Sequence, residues 1–100
     1  MCSAEIRQSY ILISAFNRLG KPASVTEIAA EIDSIAAEVA GGSFDKMGEY
    51  SIDIGLQELA DGAMIELCGR DKLLLTSRGE NHRLFQEKFV KMNAPDFPTL

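Results

Sequence analysis

Few residues of this chain have the types and spacing that chemistry needs. His82 is the sole histidine, so no two imidazoles can share a metal or relay a proton. One turn ahead of Phe85, it reads as a partly packed structural residue rather than a catalyst. Cys2 and Cys68 form no CxxC pair, and no basic residue or histidine adjoins Cys68 in sequence, which makes it a small packed thiol rather than a nucleophile. The glycines between Gly41 and Gly55 are not followed by Gly-Lys-Ser/Thr and so make no phosphate loop. Glu27, Glu31 and Glu38 recur on the polar side of one helix as a solvated face, without the alternating turn ligands of a calcium loop. No catalytic residue, no metal site and no cofactor is expected. The chemistry left to the chain is that of a binding surface.

Composition bounds that surface. One hundred residues make one domain, and 46% hydrophobic with 25% charged residues suffice for a real but modest core. At this size, pairing of two copies is one way to bury more. The formal net charge is −5, unevenly placed: residues 1–62 hold four Lys/Arg against ten Asp/Glu, and residues 63–100 hold six against five. A phosphate backbone is repelled by such a chain at long range, so any nucleic-acid affinity needs a local basic patch. Two lone cysteines suit a reducing cytosol. The start, MCSAEIRQ, lacks the basic and apolar runs of a signal peptide, and the longest apolar stretch, Tyr10–Ile13, is too short to span a bilayer. A cytoplasmic location and no membrane partner are the expectation.

Four helices and one hairpin must position the surface. Ile6, Tyr10, Ile13 and Leu12, Phe16, Leu19 form adjoining stripes of a first helix over 4–19, capped by Ser3, with Glu5 in its first turn and Gly20-Lys21-Pro22 as the stop. A capping box, Ser24-Val-Thr-Glu27, opens a second helix that keeps one apolar face to Gly41-Gly42, either unbroken or split at Asp33-Ser34. Residues 41–48 read as a loop. A third helix over 49–61 turns Ile52, Leu56, Leu59 and Ala63 inward and closes on a left-handed Gly62. Strands at 65–68 and 72–75 pair around Gly69-Arg70-Asp71. A fourth helix over 77–92, with Ser77 and Glu80 as its capping box, buries Phe85, Phe89 and Met92. Its outer face holds Arg83–Glu87 and Glu87–Lys91 pairs. Residues 93–100, with Pro95 and Pro98, read as an extended C-terminal tail beyond a domain of residues 1–92.

The run LQELADGAMIELCGRDKLLLTSRG over 56–79, a helix end, a hairpin and then Leu-Thr-x-x-Gly opening another helix, resembles the winged-helix (winged helix-turn-helix) superfamily over about residues 4–92. The resemblance implies an α+β fold: a small winged helix, a helical bundle with a two-stranded β-hairpin wing. It also implies a DNA-binding transcriptional regulator, with the third helix in the major groove and the wing supplying Arg70, Lys72 and Arg78 to phosphates. The residues of that third helix fit the role poorly. Opposite Ile52 its outer face carries Tyr50, Ile54, Gln57 and Asp61, flanked by Met47 and Glu58 on one side and Lys46 and Asp53 on the other. Gln57 suits an adenine edge and Lys46 a phosphate, but Asp53, Glu58 and Asp61 would be pressed toward phosphates. Met47, Tyr50 and Ile54 instead form an apolar patch rimmed by charge, as in protein interfaces, unless the second helix or the 41–48 loop covers them. The expected partner is therefore DNA, or alternatively a protein docked on this acidic, apolar-patched helix, with a homodimer compatible with either.

Overall fold

The computed structural model describes residues 4–40 and 51–100. The expected Ser3 cap, Cys2, the 41–48 loop, the start of the third helix and the side chains of Glu5, Lys46, Met47 and Tyr50 lie outside the described residues. Within them the order is α1 (Ala4–Leu19), β1 (Ala23–Ser24), α2 (Val25–Ala40), α3 (Ile52–Asp61), β2 (Ile65–Leu67), β3 (Lys72–Leu75) and α4 (Ser77–Asn93).

The core is built around α1. Tyr10 through Phe16 are all buried, Ser14 included, so over this stretch the helix is enclosed on all sides rather than along one stripe. It touches α2, α3, α4 and β3. Gly20, at φ 63, donates its N–H to the Phe16 carbonyl and ends the helix as expected. The chain then makes a strand that sequence periodicity does not reveal. Ala23 and Ser24 pair antiparallel with Leu73 and Lys72, giving a three-stranded antiparallel sheet in the order β1-β3-β2, where two strands were expected. Two residues are too few to show alternation, and one of them, Ser24, also caps α2. Its Oγ accepts from the Glu27 N–H at 3.2 Å, and Glu27 Oε1 accepts from the Ser24 N–H at 3.3 Å. The capping box is thus formed, and α2 runs unbroken through Asp33-Ser34, burying Ile28, Ile32, Ile35 and Ala36 against α1.

Among the described residues α3 runs from Ile52, and Ser51 caps it: its Oγ accepts from the Ile54 N–H at 3.2 Å. Leu56 and Leu59 are buried as expected. The helix end differs by one residue. Gly62 has φ −85, and Ala63, exposed rather than inward, takes the left-handed conformation at φ 58. The Ala63 and Met64 N–H groups donate back to the Ala60 and Leu59 carbonyls, the pattern of a Schellman turn. β2 and β3 pair from Ile65↔Leu75 to Leu67↔Leu73, with Gly69 at φ 89 in the connection.

α4 departs most from expectation. Its cap is Thr76, whose Oγ1 accepts from the Gly79 N–H and donates to the Ala63 carbonyl, so the Ser77–Glu80 box does not form. The Thr76 N–H donates to the Met64 carbonyl, and a Cβ on Gly79 would collide with that same oxygen and with the Leu75 side chain. Only a glycine can face Met64 there, and this fixes the rotation of the whole helix. Counting on in steps of four, three and four, the buried line is Gly79, Arg83, Gln86 and Val90. The expected line lies one position round: Phe85 is 64% and Met92 82% exposed, with Phe89 half-buried. Beyond the helix, Phe97 and Leu100 pack against the core; the Phe97 ring centroid lies 6.2 Å from that of Tyr10.

Candidate functional site

The three cations expected to meet phosphates are differently placed. Arg70 is exposed in the turn between β2 and β3, and Arg78 is exposed in the first turn of α4, where the helix dipole disfavours a cation. Neither has an ion-pair partner among the described residues. Lys72 is committed elsewhere. The pairing of β1 with β3 brings it to the capping box of α2, and its Nζ lies 3.1 Å from Glu27 Oε1. Glu27 also accepts from the Ser24 N–H and Oγ. These backbone and side-chain hydrogen bonds, with the ammonium beside them, hold its carboxyl below the usual carboxylate value. On helix one, Arg18 Nη1 is 3.1 Å from Glu38 Oε2. Carboxylates therefore interrupt the basic residues that would have to form a strip along α1 and the sheet.

Part of the face read from the sequence of α3 falls on the described residues. Asp53, Ile54, Gln57, Glu58 and Asp61 are all exposed, Ile54 at 51%. The Gln57 amide is spent inside the helix, Nε2 donating to Asp61 Oδ1 at 2.9 Å. A group that would otherwise read a base edge is thus turned toward its own carboxylate neighbour.

His82 is half-buried, its ring stacked on Phe85 with centroids 6.4 Å apart. Burial pushes its imidazole below the ordinary value, since charging it there loses hydration. No group of three or more His, Cys, Asp or Glu able to hold a metal occurs among the described residues. Cys68 was expected to pack, yet it is exposed. It follows the edge strand β2, where only Ile65 is buried. The expected Arg83–Glu87 and Glu87–Lys91 pairs are replaced as well. Arg83 is buried and grips Glu80, Nε to Oε2 at 3.0 Å and Nη2 to Oε1 at 2.6 Å, which lowers the Glu80 carboxyl pKa. Glu87 accepts instead from the Tyr10 hydroxyl at 3.4 Å.

Sequence reasoning missed the outer line of α4, formed by His82, Phe85, Phe89 and Met92. Beside it, Ile6, His82, Phe85, Gln86 and Phe89 line a hollow of about 160 Å³. The apolar residues of α4 are spread around its circumference without one dominant face, so spacing alone does not choose between its two lines.

Comparison with protein-family models, with curated proteins and with solved structures finds no match to this chain. The structure is a small α+β domain of helices around a three-stranded antiparallel sheet, compatible with a winged-helix-like fold. No helix among the described residues is long and apolar enough to cross a membrane.

Proposed function

We propose that the chain is a winged-helix-like protein–protein interaction module, with the outer face of α3 as its docking surface. The observation that carries this reading is the exposed row of Asp53, Ile54, Glu58 and Asp61 on the helix that would otherwise enter a groove. An apolar side chain rimmed by carboxylates suits a partner surface with a hydrophobic pocket and a basic rim, and it opposes phosphate. The neutralisation of Lys72 by Glu27 adds support. Immobilised wild-type chain and the Ile54→Arg, Glu58→Lys double variant, challenged with cell extract and with duplex DNA, test it. The expected result is a protein captured by the wild type and lost from the variant, with the duplex unbound. Equal capture by both chains, or retention of the wild type on the duplex at low salt, overturns it.

A DNA-binding regulator is the second reading, and the exposure of Arg70 and Arg78 without carboxylate partners among the described residues favours it. With Lys72 recruited from Glu27, three phosphate contacts per protomer give a log–log salt slope of about −3. Replacing Arg70 and Lys72 by Ala then weakens binding to all sequences alike. Unchanged affinity removes this reading.

A further inference from the structure

Arg78, His82, Phe85, Phe89, Met92 and Asp96 follow one another at spacings of four, three, four, three and four. Through Met92 this is the ladder by which one helix meets another along a narrow seam. It runs beside the line Gly79, Arg83, Gln86, Val90 that α4 already uses against α1. Phe85 and Met92 are 64% and 82% exposed, and with the half-buried His82 and Phe89 between them they present apolar area on the order of 300 Å². That is more than half of the apolar share of the roughly 800 Å² per partner in an ordinary stable interface.

We propose that this seam pairs with the same seam of a second copy of the chain, the two α4 helices running antiparallel about a two-fold axis. The order of the ladder selects that arrangement. Reversing one copy sets Phe85 against Phe89 of the second copy, twice, at the centre. His82 then faces Met92 of the second copy. Met92 is the most exposed of the large apolar side chains among the described residues, and the hollow bounded by Ile6, His82 and Phe85 lies where it would enter. At each end, the exposed Arg78 comes opposite the segment after the helix of the second copy, which carries the exposed Asp96. A parallel pairing would put Arg78 against Arg78 and leave both hollows without a knob. An isologous contact makes every one of these meetings twice, so a seam of this length suffices for a closed dimer and does not propagate.

Sedimentation velocity of the full chain over a concentration series is the test. The wild type is expected to be dimeric at about 100 µM, and Phe85→Glu to raise the dissociation constant at least about hundred-fold. Met92→Lys, at a residue too exposed to matter to the core, acts in the same direction and keeps the test valid should Phe85→Glu not fold. Arg78→Asp and Asp96→Arg each weaken the dimer, and the two together restore it. A wild type monomeric throughout, or a dimer indifferent to Met92→Lys, overturns the proposal. A dimer broken by Met92→Lys but not restored by the double charge exchange overturns the antiparallel register.

Discussion

α2 and α4 are helices of almost equal length, 16 and 17 residues, and both pack on α1, yet α2 buries an apolar line and α4 a mixed, largely polar one. α2 turns three isoleucines and an alanine inward and leaves its carboxylates largely to solvent. α4 turns Arg83 and Gln86 inward, with Val90 as its one fully buried apolar side chain among the described residues, and leaves Phe85 and Met92 outside. For α2 the hydrophobic effect alone chooses the rotation, because it has one apolar line. For α4 two lines compete, and a single steric fact decides: Gly79 must face the Met64 carbonyl, and the rest of the helix follows. The inner line then finds partners for most of its polar groups, on its own helix and on α1. Arg83 is held by Glu80, and Gln86 Nε2 donates to Ser9 Oγ at 2.7 Å, although Gln86 Oε1 has no hydrogen-bond partner. An element positioned by its first turn and packed through polar side chains retains its apolar line for another molecule.

The contrast is open to attack by mutation, and the largest effect should come from α2. Ile32→Ala removes a fully buried side chain and should cost about 3–4 kcal/mol, read from the shift of a urea unfolding midpoint. Next is Gly79→Ala, expected to cost about 2–3 kcal/mol because backbone rather than a flexible side chain stands in the way. A near-neutral result would mean that α4 turns freely, and the explanation of its orientation would fall. A smaller effect is expected from acid. Glu80 is held by Arg83 below its ordinary value of 4.5. Its contribution is therefore present above that pH and is lost as pH falls through its folded value. Glu80→Gln should flatten the loss of stability below about pH 4.5 without abolishing it, since Glu27 titrates in the same direction. The smallest effect is Phe85→Ala: in dilute protein, the change should stay within about 0.5 kcal/mol. A loss above about 2 kcal/mol would make Phe85 a core residue and erase the contrast between the two helices.

The same contrast explains what could be read in advance. The end of α1 and the start of α2 are legible because each rests on local signals, Gly20-Pro22 as a stop and Ser24–Glu27 as a start. Leu56 and Leu59 on α3, and the outward Asp53, Ile54, Gln57, Glu58 and Asp61, follow from helical spacing on an element with one apolar face. β1 was invisible because two residues carry no period. The fate of Lys72 depends on Glu27, 45 residues away, and is set by the strand pairing that periodicity could not show. The orientation of α4 depends on a carbonyl of the turn before β2, and no property of residues 77–93 taken alone encodes it.

The Tyr10 hydroxyl accepts from the Leu100 N–H at 3.0 Å across 90 residues. Tyr10 is among the most completely enclosed side chains of the core. A contact between residues so far apart in sequence is among the costliest to close, because the intervening chain must already be ordered before the ends can meet. The other partner of the same hydroxyl, Glu87, is itself 77 residues away. The polar tip of the central helix is therefore satisfied wholly by long-range contacts, and its enclosure reports on the finished fold rather than on the helix that carries it.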